Sequence, residues 1–296
     1  MKVKLRLNPL VQYRTLLSHA SNILATKTPV NLSFKIVGLG TTDPEAPPIF
    51  LLHGLLGSKK LWRGIGKTIT PLTKRSVIVV DIRNHGASPH INSNRYDEMA
   101  ADLFQLFEKL HVDKASLVGY EIGGRMAMCA SLMAVSKSSS IITPVLLINF
   151  HISNINNSKK TINRLLTKIL SSIQLILIMH KILKNVQIKH DGIIGWSCNL
   201  DAIIKHFKQF LIFPKSMKGK KYNGPCLFIG GQLDSRERFI GIERKSENFK
   251  ECEVVKTCFY PLLLQTLAKP YEVDKYVSTY LSTLHPCEAS VVSFKI

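Results

Sequence analysis

Ala115-Ser116-Leu117-Val118-Gly119-Tyr120-Glu121-Ile122-Gly123-Gly124 is a short apolar strand that runs into a glycine-bracketed turn, and Arg125 to Met133 continues it as a helix. A strand that passes straight into a helix brings two backbones too close for side chains, so small residues must flank the turn. Gly119 and Gly123 supply them. This is the layout of a nucleophile elbow, in which G-x-S-x-G holds a serine on a strained turn above a sheet. The central position here is Glu121. The turn has been kept and its nucleophile replaced.

A G-x-x-x-G spacing alone is weak, so the flanking chain must carry the reading. Upstream, Pro48-Ile49-Phe50-Leu51-Leu52-His53-Gly54-Leu55-Leu56-Gly57-Ser58 reads as a buried strand ending in a glycine-rich loop. Such an H-G-x-x-G loop donates one backbone N–H to an oxyanion hole, and the residue after the nucleophile donates another. Those donors would be Leu55 and Ile122. Ser76 to Val80 is a β-branched strand that enters Asp81-Ile82-Arg83-Asn84-His85-Gly86-Ala87-Ser88-Pro89-His90. His85 and His90 are candidate bases or ligands. The loop reads better as structural, its polar side chains tying turns together.

The remaining elements follow in alternation. Val30 to Val37 is a strand, Trp62 to Ile69 a helix, and Tyr96 to Leu110 a helix with Met99, Leu103, Leu106, Phe107 and Leu110 along one face. Val145 to Phe150 is a strand, as are Pro225 to Ile229 and Cys252 to Cys258, with a closing helix at Tyr271 to Leu284. The alternation predicts an α/β fold with a mostly parallel sheet and helices on both faces. Residues 151–222, lysine- and isoleucine-rich, break the rhythm. They are expected to form a helical cap inserted after the strand that follows the elbow helix, helical around Ile162–Ile178 and Leu200–Phe210. Residues 30–150 and 223–284 are then the core, and 285–296 a peripheral tail.

A 296-residue chain with 45% hydrophobic residues can bury one such core and is not of disordered composition. Lys and Arg number 40 against 20 acidic residues, a net charge of +20. A solvated basic surface accounts for that balance. No helix-turn-helix, zinc-finger or RNA-recognition signature accompanies it, so no nucleic-acid partner is expected. A basic surface also attracts anionic membranes, as a peripheral contact, and coenzyme A-like substrates. The six cysteines form no C-x-x-C pair and no metal-ligand spacing, as in a reduced intracellular protein; no metal site is expected. No apolar run reaches the length of a membrane span. Residues 1–42 contain six basic residues and no acidic one. That composition resembles a mitochondrial targeting segment, expected over residues 1–29, and predicts a mitochondrial location.

In this order, the motifs resemble one branch of the α/β-hydrolases, the mitochondrial abhydrolase-domain proteins and the yeast ethanol (alcohol) acetyltransferases. The matching pieces are His53–Ser58, Asp81–His90, Gly119–Gly124, Trp196-Ser197-Cys198-Asn199-Leu200-Asp201-Ala202-Ile203 and Leu227-Phe228-Ile229-Gly230-Gly231. The resemblance implies an α/β-hydrolase fold and cleavage of esters and thioesters. For the yeast members it implies transfer of acetyl groups from acetyl-CoA to ethanol, with acetyl-CoA a substrate and no cofactor.

The resemblance also implies where a catalytic triad would stand. The family serine aligns with Glu121, its acid with Asn149 after the next strand, and its histidine with Leu263, seven residues before Pro270. All three positions are substituted. A glutamate is a poor acyl nucleophile, because attack on an ester yields an anhydride. Elbow carboxylates do serve dehalogenases and epoxide hydrolases, but those need a histidine to activate water, and Leu263 cannot. Asp234 could fill an acid position used by other hydrolase branches, yet has no histidine to orient. The expectation is therefore a degenerate member of the family, with Glu121 occupying the anion pocket between the Leu55 and Ile122 amides. The alternative is an active alcohol acetyltransferase, or an esterase or thioesterase, acting on a small acyl ester or acyl-CoA. Oligomeric state is not legible in the sequence.

Overall fold

The computed structural model describes residues 29–38, 42–134, 142–148, 183, 185–188, 192–224, 226–231 and 252–257. Seven strands form one sheet: β1 (Phe34–Val37), β2 (Ile49–Leu52), β3 (Val77–Val80), β4 (Ala115–Tyr120), β5 (Ile142–Ile148), β8 (Cys226–Gly231) and β9 (Cys252–Thr257). Their order is β1-β3-β2-β4-β5-β8-β9. β1 runs antiparallel to β3, and every other neighbouring pair is parallel. Pro144 lacks an N–H to give the ladder, and the register steps over it: Thr143 faces Ser116 while Val145 faces Leu117.

Every residue of β2, β3 and β4 is buried, the mark of a parallel sheet covered on both sides. Side-chain alternation sorts them into two faces. Phe50, Leu52, Ile78, Val80 and Leu117 join one core cluster with α2 (Tyr96–Leu110) and α3 (Ile122–Ala134), and the Phe50 ring meets Phe107 edge-on at 4.7 Å. Ile49, Leu51, Val77 and Val79 point the other way, toward α1 (Lys59–Thr73). A Cβ placed on Gly66 of α1 would stand 3.3 Å from Val77.

α1 is longer at both ends than its expected span of Trp62 to Ile69. Pro71 removes one donor, but only in the last turn. Lys74 then adopts a left-handed conformation (φ 53°) and returns its N–H to the Thr70 carbonyl, which closes the helix. α2 has the limits its periodicity predicts, and ends the same way on His111.

Between β5 and β8 the chain forms a hairpin of β6 (Val186–Ile188) and β7 (Ile194–Trp196), then α4 (Leu200–Lys205), α5 (Phe207–Leu211) and a 3-10 turn at Lys215–Met217. Three-residue strands are too short for periodicity to announce, and the hairpin was not legible in the sequence. The expected single helix Leu200–Phe210 is two, broken at His206. The Ala202 carbonyl keeps its helical bond from the His206 amide at 3.0 Å and also accepts Asn94 Nδ2 at 3.0 Å. The His206 ring bonds Asn92 at 2.8 Å, so the junction is held by side chains from the loop before α2. Residues 1–28, the helical stretch Ile162–Ile178, the closing helix Tyr271–Leu284 and the tail 285–296 lie outside the described residues.

Candidate active site

β4 ends at Tyr120, α3 begins at Ile122, and Glu121 makes the turn between them with φ 49°. For a residue with a Cβ this conformation costs about 1–3 kcal/mol, and it persists only where its surroundings enforce it. Here they do. A Cβ on Gly119 would stand 2.5 Å from the Gly123 carbonyl group, and one on Gly123 would stand 2.4 Å from the Leu52 oxygen. Strand and helix cross at backbone contact, so the chain has no wider turn to take.

The Glu121 side chain leans over the end of β2. Its Oε2 accepts the Leu55 amide at 3.2 Å. Glycine at 54 permits this, since a Cβ there would lie 2.6 Å from the same oxygen. The Ile122 N–H belongs to the first turn of α3, whose donors the helix itself does not use. The Glu121 carboxylate is thus held against the Leu55 amide at the N-terminal end of α3, where the helix dipole favours negative charge.

The loop from Asp81 to His90 supports this arrangement from below. Asp81 accepts the Lys59 amide at 2.6 Å, the Lys59 ammonium at 2.5 Å and the Ala87 amide at 2.9 Å. Burial raises the affinity of Asp81 for a proton, but these donors outweigh it and hold the carboxyl below its ordinary range. Gly86 (φ +58°) is forced, because a Cβ would lie 2.4 Å from the Asp81 carboxyl carbon. Arg83, fully buried, grips both Asp102 oxygens at 2.6 and 2.7 Å. Burial pushes Asp102 up to about 6, with Arg83 opposing.

The histidines here serve the backbone. His53 Nε2 accepts the Ile82 amide at 3.1 Å, so its proton is on Nδ1, which donates to the Gly54 carbonyl at 2.8 Å. His85 repeats the pattern: Nε2 accepts the Leu56 amide at 3.2 Å, and Nδ1 donates to the Arg83 carbonyl at 2.9 Å. Both rings brace the loops that carry Leu55 and Leu56, which suits the structural reading of His85. His90 is exposed.

Three side chains to which the sequence assigned no role at the site tie residues 185–210 to it. Arg125, buried in the first turns of α3, donates to the Phe210 carbonyl at 2.5 Å, and the Tyr96 hydroxyl donates to the same oxygen at 2.9 Å. Burial, aided by the nearby Glu121 charge, pushes the Tyr96 hydroxyl up against the opposing pull of Arg125, so it stays a neutral donor. Asn185 donates to the Leu56 carbonyl at 2.7 Å. The signal for Arg125 was present, as the one charge in an otherwise uncharged helix; Asn185 had none. Two quoted motifs also meet directly, the Asn199 amide donating to the Asn84 carbonyl at 2.9 Å.

The structure therefore brings Glu121 and Leu55 together beside Ile122. Asn149, Leu263 and Asp234 lie outside the described residues. Among the described residues no three His, Cys, Asp or Glu side chains gather as a metal site.

Comparison with known proteins agrees with this geometry. A family profile described as "alpha/beta hydrolase fold" matches residues 47–152. The "sn-1-specific diacylglycerol lipase ABHD11" of Danio rerio is 34% identical over 288 residues, covering 90% of this chain and 86% of that protein. A "Probable alcohol acetyltransferase" of Saccharomyces cerevisiae is 34% identical over 110 residues, covering 34% and 32%. Among solved structures, a "Marine microorganism esterase" shares the fold at a TM-score of 0.70 and 21% identity, covering 85% of this chain and 99% of that one. With its elbow, its H-G-x-x-G loop and its sheet order all in place, the chain belongs to the α/β-hydrolase family, in the branch that holds the ABHD11 lipases and the yeast alcohol acetyltransferases.

Proposed function

We propose that this chain is a degenerate α/β-hydrolase without serine-hydrolase or acyltransferase activity, whose elbow site is filled by its own carboxylate. The observation that carries the reading is the Glu121 Oε2 contact with the Leu55 amide at 3.2 Å. Acyl transfer needs a nucleophile, a base to take its proton and an acid to orient the base. A glutamate at the elbow supplies no hydroxyl, and it uses an oxyanion donor that a tetrahedral intermediate would require. Without a triad, the pocket and its amides leave a residual acceleration of about 10³–10⁴ over water, which an occupying anion lowers further. The chain would then act through binding, in the mitochondrion, where the acid-free first 42 residues would direct it.

The second reading is an active enzyme on a small acyl ester or acyl-CoA. The names of its relatives, a diacylglycerol lipase and alcohol acetyltransferases, favour it. A serine-directed fluorophosphonate and a p-nitrophenyl acetate assay separate the two. The degenerate reading expects no labelling and no turnover above the protein-free control. Robust turnover that Glu121→Ala abolishes would overturn it and make Glu121 catalytic.

A further inference from the structure

We infer that the β6–β7 hairpin is a docking element for the surface of an anionic membrane. Its cross-strand pairs are Val186 with Trp196 and Ile188 with Ile194. Residues two apart share a face of a strand, so these four side chains project from one side of the hairpin. They are 37%, 41%, 75% and 72% exposed, and Ile193 beside them is 62% exposed. Gln187 and Gly195 form the opposite side. A two-stranded ribbon is marginal by itself, and one whose apolar face stands in water lacks the burial that would stabilise it.

Charge selects the occupant. Residues 183–224 carry eight lysines against two acidic residues, Asp191 and Asp201; six of those lysines, Lys205, Lys208, Lys215, Lys218, Lys220 and Lys221, are among the described residues. Five of the six lysines are exposed. In the sequence, residues 122–190 contain no Asp or Glu at all. Isoleucines with a tryptophan at the margin, in a lysine-rich segment of a chain of net charge +20, are what an interfacial element presents to acidic lipid headgroups. A second copy of this chain would bring the same positive charge to the contact and be repelled. The base of the hairpin is tied to the site loop, Asn185 donating to Leu56 at 2.7 Å and accepting the Ser197 amide at 2.6 Å. Docking would thus set the H-G-x-x-G loop close to the lipid surface, whether or not the site turns over a substrate.

The test is co-sedimentation of the full chain with vesicles of phosphatidylcholine, with and without phosphatidylserine. Binding is expected only with phosphatidylserine and should weaken as salt rises. The double variant Ile188→Ser, Ile194→Ser should bind about tenfold more weakly, with an unchanged melting temperature because both positions are exposed. Gln187→Ser, on the other side of the ribbon, should bind as the wild type does. Trp196 is also a reporter: its emission should shift to the blue on binding, whereas Trp62 is already buried. Equal binding by wild type and double variant, or no binding to either vesicle, would overturn the inference. So would a dimer in solution that the double variant dissociates, since the face would then belong to a second copy.

Discussion

The Glu121 carboxylate and the Leu55 amide, 66 positions apart, meet at 3.2 Å across the mouth of the elbow. The contact makes a definite statement about repair. Triad members act as a unit, so restoring one is worth little while the others are missing. Glu121→Ser alone should stay close to the protein-free rate toward p-nitrophenyl acetate. The triple change Glu121→Ser, Asn149→Asp, Leu263→His should recover measurable turnover. Wild type, single and triple variants in one assay decide it, and a single variant as fast as the triple would refute the unit.

Backbone strain at the elbow can be separated from the lost hydrogen bond. Glu121→Ala and Glu121→Gly both remove the bond to Leu55, but only glycine relaxes at φ 49°. The glycine variant should be the more stable of the two by about 1 kcal/mol. Chemical denaturation of the pair measures the difference directly.

Glycines of this chain should respond oppositely to one methyl group. Gly123→Ala drives a Cβ to 2.4 Å from the Leu52 oxygen, and backbone must move; a loss of about 3 kcal/mol or outright misfolding is expected. Gly64 of α1 is exposed and has nothing within 4 Å of its absent Cβ, so Gly64→Ala should add up to about 1 kcal/mol. Melting temperatures of the two variants should fall on opposite sides of the wild type.

Stability should decline in acid through Asp81. Its carboxyl is held below the ordinary value of 3.8 in the folded chain. Its share of stability is therefore complete above that value and is lost as pH falls through the lower, folded one. Asp81→Asn should be less stable at neutral pH by about 1–3 kcal/mol, having lost charge-assisted bonds. Its urea midpoint should also vary less than the wild type's below pH 3.8. A variant with the same acid dependence as the wild type would assign that loss to other groups.

What the sequence determined by itself is local in origin. The apolar runs at Ile49–Leu52, Val77–Val80 and Ala115–Tyr120 have no polar face to expose, so they must be central strands. Gly119 and Gly123 announce the elbow because strand and helix cannot cross there with side chains present. The tertiary structure decided what depends on groups far apart in the chain. The pairing of Leu55 with Glu121 is one such case. Another is the junction at His206, where Asn94, more than 100 positions away, adds a second donor to the Ala202 carbonyl. The hairpin is a third, since only the pairing of Val186 with Trp196 and of Ile188 with Ile194 gathers those side chains on one face, which stands in solvent. Propensity and periodicity sense neighbours along the chain; these features were settled by neighbours across it.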